Sequence, residues 1–421
     1  MRKDFVSTVF TKNKLTCSGC GACAQICKQK AITMEEDFEG FLYPNVDSNR
    51  CTKCGLCDTI CPEVNFHQEN TFDKRIAYFV RTDIKEYYKK SATIGICTML
   101  SDETLNKCGN VYGAELDEKD WRVNHIRITD ISERERIRNS KYVQSDTKDT
   151  YYKVLLDLKK GTQVLYIGTP CQIAGLKSFL RKDYENLLTV DLICHGTFSY
   201  KLLHKEVDYW QKRLHGRINN FRFRSKRIYP WNKGGIVNFD ITTKRGKTKH
   251  IERHGSCSPT YRCYAYSGDG INYNLRPSCY NCPFRAVERY GDLTVGDAWA
   301  IKRRNFYNDC KNGISLLFCN TPKGIRAIDN IRHLIDIEAV AYEQAFVQPA
   351  LLPTNREIPE KRNYLYANLN NVDYGTLIES VLSVNFQDIE TKFKRKEQLT
   401  KIKKLVKRIV FHSKWNNKNE D

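Results

Sequence analysis

Long apolar runs are missing from this 421-residue sequence. The longest, such as Ile314–Cys319, fall far short of the ~18 residues that read as a spanning helix. The amino-terminal MRKDFVSTVFTKNK also lacks the apolar core of an export signal, so neither a membrane span nor secretion is expected. Proline and glycine are few, 11 and 23, which excludes collagen-like and low-complexity character. Acidic residues are outnumbered, 49 against 69 Lys and Arg for a net charge of +20, but residues 391–421 alone hold 11 basic and 3 acidic side chains. The excess therefore sits at one end. With 41% hydrophobic and 11% aromatic residues the chain can bury a real core, and its length suits two or three domains of about 100–200 residues. Cysteine alone is abundant, at 18. Without an export signal, such thiols are expected to be reduced in a cytoplasm and to serve as metal ligands more often than as disulfides.

Residues 17–27 read CSGCGACAQIC and residues 51–61 read CTKCGLCDTIC. Both are the bacterial ferredoxin run, in which three close cysteines wrap one 4Fe-4S cubane and the fourth reaches across to the other. One cluster is expected on Cys17, Cys20, Cys23 and Cys61, and the other on Cys51, Cys54, Cys57 and Cys27. Zinc sites are built from CxxC pairs and have no use for two identical four-cysteine runs. The intervening AITMEEDFEGFLYPNVD alternates as a hairpin with its turn near Asp37–Gly40. An α+β ferredoxin-like domain is thus expected over residues 1–66. Lys28 stands where such domains usually carry proline. Each cubane with four thiolates carries about −2, so the body is only mildly basic. A nucleic-acid partner is not expected.

Strand-like runs at Ile76–Arg81, Asn110–Leu116 and Val123–Thr129 alternate with helical stretches near 86–106 and 147–160. QVLYIGTPCQIAGLKSFLRKDYENLLTVDLICHG then reads as strand 163–168, helix 172–182 and strand 187–193. In such a crossover the carboxyl ends of parallel strands share one edge, where open α/β folds bind ligands, and Cys171 and Cys194 stand at those ends. A β-rich portion follows, with strands at Arg217–Arg224 and Gly235–Thr243 and a turn at Lys244–Lys247. Cys279 and Cys282 form a CxxC. Cys171, Cys194, Cys279 and Cys282 could hold a third 4Fe-4S cluster, although zinc would accept the same set. Cys257, Cys263, Cys310 and Cys319 are spare candidates, while Cys97, Cys108 and Cys319 read as small buried hydrophobes. His195, directly after Cys194, is the candidate catalytic residue, since an imidazole titrates near neutrality and could supply a proton, but a structural role beside the ligands is the favoured reading. Arg222 and Arg224 alternate on one strand, where they could meet phosphate or form a solvated face. Asp297 could orient a ligand or cap a turn.

The motifs SKYVQSD (140–146), GTPCQIAGLKSFL (168–180), VDLICHG (190–196), FRFR (221–224) and RPSCYNCPF with GDLTVGDAW (276–299) resemble the coenzyme F-420 hydrogenase/dehydrogenase beta-subunit family. The arrangement is the one with an amino-terminal two-cluster domain, found among bacterial polysaccharide-locus members. The resemblance implies FAD beside an iron–sulfur cluster, in an α/β domain whose first part covers 75–160 and whose second, cluster-bearing part covers 161–340. The family's SxSGG-like loop is here Ser91-Ala92-Thr93-Ile94-Gly95, so Ser91, Thr93 and Gly95 are the implied cofactor contacts, joined by Lys141, Tyr142 and Gln144. Ile94 replaces an expected glycine, which implies an altered loop or weakened flavin binding.

Residues 341–421 are expected to be a helical, basic tail. Over 391–411 apolar residues recur at helical spacing among lysines, a pattern that suits an anionic membrane surface, an acidic partner or packing on the chain's own domain. The expected function is an iron–sulfur flavoprotein oxidoreductase. Its electrons come from a donor such as reduced ferredoxin and pass to an organic substrate, on family analogy a sugar or glycan precursor. The alternative is a non-catalytic electron-transfer subunit feeding a separate enzyme. The expected location is the cytoplasm, at most peripheral to its membrane.

Overall fold

The structure, a computed structural model, describes residues 9, 13–65, 75–227, 231, 236–286, 288–299, 312–345, 351, 356–395, 398–399 and 402. In the amino-terminal module each cysteine loop runs into a short helix, Ala22–Ile26 or Leu56–Thr59, through a glycine in the left-handed region, Gly21 at φ 80° and Gly55 at φ 74°. Glycine adopts that conformation without the steric cost a side chain would bring. Between the loops, β1 (Ile32–Glu36) and β2 (Leu42–Val46) pair antiparallel with Ile32 opposite Val46. Asp37 closes their turn by accepting from the amides of Glu39 and Phe41 at 3.1 and 3.0 Å.

The body is organised on a mixed sheet, eight-stranded among the described residues. Its strands are β3 (Ile76–Arg81), β4 (Asn110–Asp117), β5 (Arg122–Ile128), β6 (Val164–Gly168), β7 (Leu187–Leu192), β11 (Leu293–Asp297), β12 (Ser315–Cys319) and β13 (Asp336–Val340), in the order β13-β3-β12-β11-β7-β6-β4-β5. β4, β6, β7 and β11 run parallel, and β12, β3, β13 and β5 complete the sheet antiparallel. Val164, Leu165 and Tyr166 are buried in succession, as expected of strands covered on both faces. β6, helix Pro170–Leu180 and β7 form the anticipated crossover. Thr169 and Gln172 make a reciprocal capping box at the helix start, with Pro170 in its first turn.

A second, antiparallel sheet is built from β8 (Gly216–Arg222), β9 (Ile236–Thr243) and β10 (Thr248–His254), and Gly246 at φ 73° turns its hairpin. It shares an aromatic-rich core with helix Tyr200–Leu214 and helices Glu360–Asn368 and Tyr374–Leu382 through Trp210, Phe239, Tyr366 and Leu377.

Residues 75–160 and 161–340 both feed the large sheet. Two expectations change. The stretch 86–106 is two helices, Lys85–Lys90 and Ile96–Asn106, because Ser91–Gly95 breaks the ladder with Gly95 at φ 90°. Residues 360–382 belong to the core rather than to a tail. Leu365, Leu377 and Ile378 are fully buried, and Arg362 clasps Glu39 of the amino-terminal hairpin with two hydrogen bonds of 2.8 and 2.5 Å. Residues 386–395 are helical and Phe393 stacks on His254 at 4.7 Å. Most of the expected basic helix 391–411 lies outside the described residues. Among the described residues no helix is long and apolar enough to cross a membrane.

Candidate functional site

Cys17, Cys20, Cys23 and Cys61 face one another. Burial raises all four thiols, Cys61 to about 11, and Cys20, Cys23 and Cys61 each feel one or more of the group as a like charge. Cys61 therefore joins the first loop, as the crossed ferredoxin spacing requires. Cys27, Cys51 and Cys57 are half-buried and Cys54 is exposed. Cys57 borders the first group through Cys23. Backbone amides point at the sulfurs: Lys53 N lies 3.4 Å from Cys51 Sγ, Ala31 N 3.3 Å from Cys27 Sγ, and Gly19, Ala22 and Glu63 serve Cys17, Cys20 and Cys61. Such donors favour the thiolate over the thiol.

Cys171, Cys194, Cys279 and Cys282 line one cavity. Burial lifts the thiols of Cys171 and Cys194 to about 12 and about 11, and it lifts Cys279 and Cys282 in the same direction. The local geometry repeats that of the amino-terminal loops. An amide two residues on serves Cys194 from Gly196 and Cys282 from Phe284, while Thr169 Oγ1 lies 3.2 Å from Cys171 Sγ. The Thr197 hydroxyl, buried and without another partner, is directed at Cys279. Among the described residues no three His, Cys, Asp or Glu side chains are drawn together tightly enough to hold a single ion. Cys257, Cys263 and Cys319 are buried elsewhere, and Cys310 lies outside the described residues. Cys108 is exposed at a helix end rather than a buried hydrophobe, since its backbone turns left-handed at φ 58° to leave the helix.

A larger cleft of about 740 Å³ opens at the carboxyl ends of the parallel strands and is lined by Ser91, Thr93, Gly95, Lys141, Tyr142, Gln144 and His195. Ile94 does not enter it; its side chain is fully buried in the core beneath, so the loop presents its small residues to the cleft and turns the large one away. Lys141 is held by the carbonyls of Arg138 and Asn139, at 2.8 and 3.3 Å, and makes no ion pair among the described residues. Burial, partly offset by Glu115, pushes its ammonium down to about 7. Gln144 stands at the back of the cleft, where its Nε2 donates to the Ser18 carbonyl at 2.8 Å and lies 3.8 Å from Cys171 Sγ. Its contacts are thus to both cysteine groups. Burial, reinforced by Arg285 and Arg356, pushes His195 down to about 4, and its Nε2 accepts from Asn272 at 3.0 Å. The imidazole is therefore neutral at neutral pH and has no extra proton to give.

The two cysteine groups are locked together. Arg276, 1% exposed, donates to the carbonyls of Cys17 and Leu42 at 2.9 and 2.8 Å and to Gln144 Oε1 at 3.3 Å, under the Tyr43 ring at 4.1 Å. Cys20 feels Cys171 across the boundary. A Cβ on Gly175 would lie 3.0 Å from Cys20 Sγ, so helix Pro170–Leu180 approaches the cysteine loop where it has no side chain. Cys194, Gln144, Thr169, Gly196 and Thr197 line both the cysteine cavity and the cleft.

Sequence reasoning missed Arg276, although it opens the RPSCYNCPF motif. It also missed His125, which lies in the cleft wall between Ser145 Oγ at 2.6 Å and the Ile167 carbonyl at 2.9 Å and is pushed down to about 4 by burial. Arg224 is buried and pairs with Asp297 at 2.8 Å, whereas Arg222 is exposed, so the two arginines do not share an environment. Cys97 lines the cleft.

Residues 16–65 match the model of a 4Fe-4S dicluster domain. Residues 161–345 match the model of the coenzyme F420 hydrogenase/dehydrogenase beta subunit, C terminus. Over that region the chain is similar to the beta-subunit family. It is accordingly an iron–sulfur, oxidoreductase-type electron-transfer protein related to those subunits. No curated protein matches the chain. Among solved structures, a chain of the F420-reducing NiFe hydrogenase complex from Methanosarcina barkeri is similar at 16% identity and a TM-score of 0.40, covering 77% of this chain and 94% of that one. That likeness is too slight to bear on function.

Proposed function

We propose that the chain is an iron–sulfur flavoprotein. Cys171, Cys194, Cys279 and Cys282 would hold a third 4Fe-4S cluster, and the cleft lined by Ser91, Thr93, Gly95, Lys141 and Tyr142 would hold FAD. The observation that carries this reading is the shared wall: Cys194 lines the cysteine cavity and the cleft at once, so a redox centre on these thiolates adjoins whatever the cleft binds. Thiolates spread around a cavity, with Cys194 and Cys282 served by i+2 amides, suit a cluster, whose own atoms stand between its ligands, better than one zinc ion. The cleft has the volume of a cofactor pocket, and Lys141, which makes no ion pair among the described residues, suits a diphosphate. When bound, FAD converts between single-electron and hydride chemistry. The residues that surround it exclude water, supply the basic charge and set the ligand's position. His195, neutral and anchored by Asn272, is a positioning residue beside the cluster ligands.

The organic substrate, a sugar or glycan precursor on family resemblance, would enter the same cleft. One observation favours the relay alternative: His125 and His195 are both held neutral, and Asp297 is already paired with Arg224. Heat-released flavin from anaerobically purified chain should give an FAD spectrum. Protein that neither retains nor rebinds FAD at micromolar concentration, about −8 kcal/mol and undemanding for a cofactor, would leave the relay as the account.

A further inference from the structure

We propose that the solvent face of the outer cysteine loop is the docking surface for an acidic one-electron carrier protein. Cys20 is buried against the body and faces Cys171, while Cys54 of the second loop is exposed. The three cysteine groups thus run from solvent at Cys54, through Cys57 and Cys23, to Cys171 and the cleft. Electron transfer falls steeply with distance, so a protein donor must approach the Cys54 end.

That end carries Lys28, Lys30, Arg50 and Lys53, all exposed, and none of them makes an ion pair among the described residues. Arg50 Nη2 donates to the Gln29 carbonyl at 2.9 Å and ties the two cation-bearing loops into one surface. Lys30 and Lys53 both sit in the left-handed region, at φ 50° and 53°, where a lysine costs more than glycine would. The nearby exposed Asp47, which accepts from Asn49 N at 2.9 Å, sets one carboxylate against these four cations. A cationic rim around the exposed ligand steers an anionic partner and raises its association rate. The reaction moves one electron from the reduced carrier, which is oxidised, to the outer cluster, which is reduced; no bond or proton changes hands. The inference rests on the amino-terminal cysteines holding clusters.

The test compares the full chain with Lys28→Glu/Lys53→Glu and with Lys244→Glu/Lys247→Glu, an equal charge change on the remote β9–β10 turn. The probe is an acidic bacterial ferredoxin. Its binding in the oxidised state is followed by calorimetry, and its electron transfer in the reduced state by stopped-flow bleaching. Reversal at 28 and 53 should weaken association at low salt tenfold or more and flatten its salt dependence, and the remote reversal should not. Dithionite should reduce all three proteins alike. Equal effects of both reversals, or none, would overturn the proposal. Wild-type protein with iron well below about eight per chain would instead overturn the cluster assignment beneath it.

Discussion

At the scale of single residues, Arg276 ties the two cysteine groups together. Its guanidinium is buried, is hydrogen-bonded to carbonyls and an amide side chain, and has Cys17, Cys171 and Cys279 as electrostatic neighbours. A fixed positive charge favours the more negative, reduced state of a cluster on either side. Arg276→Gln should therefore lower the potentials of both flanking clusters by about 60 mV or more. A unit charge several ångströms away is worth about 1–3 kcal/mol at an effective dielectric near 20, and about 59 mV corresponds to 1.4 kcal/mol for one electron. An EPR-monitored redox titration, with iron content as the control, checks this; unchanged potentials would remove Arg276 from the electron path.

Lys141 adds a pH dependence. Its folded pKa of about 7 lies below the unfolded value near 10.4, so the ammonium that attracts an anion is present below pH 7 and lost above it. FAD affinity of flavin-stripped protein should fall as pH rises through 7, by up to about tenfold per unit, and Lys141→Met should flatten the curve. A flat wild-type titration would contradict this.

The cysteine runs were legible because their spacing is a local constraint. The cleft wall was only partly so: Ser91, Thr93, Gly95, Lys141 and Tyr142 do meet, but nothing local marks His125, or tells that Ile94 turns inward and Gln144 backward.

At the scale of elements, the carboxyl-terminal helices were misjudged because the basic residues beyond 391 dominate the composition. The apolar positions Leu365, Leu377 and Ile378, which close the aromatic core, carry the structural signal. Glu39 and Arg362 are 323 residues apart, and no local pattern links them. Their pair is almost wholly buried, with side chains 7% and 2% exposed. Truncating one partner strands a buried charge, a loss of about 3–5 kcal/mol. Arg362→Ala should lower the thermal unfolding temperature markedly under anaerobic conditions, while Glu39→Leu/Arg362→Met, which removes both charges, should recover most of the loss. Equal destabilisation by the single and double changes would mean that the clasp acts through packing alone. The crossover from β6 to β7 was legible with boundaries within a few residues, since strand periodicity, Thr169-Pro170 and the following helical pattern all agree.

At the scale of the whole molecule, the body and the amino-terminal module are interlocked rather than tethered: Arg276, Gln144, Tyr151 and Arg362 each bridge them. The order of sites, exposed loop, inner loop, body cysteines, cleft, is the property from which the proposed function follows. Its weakest joint is the third cysteine group, and the most direct test of that joint is the iron and acid-labile sulfide content of the anaerobically purified full chain, measured beside Cys194→Ser. The account requires about twelve irons per chain, falling to about eight in the variant as one cubane is lost while the amino-terminal pair remains. About eight irons in both proteins, or stoichiometric zinc in place of the missing four, would contradict it.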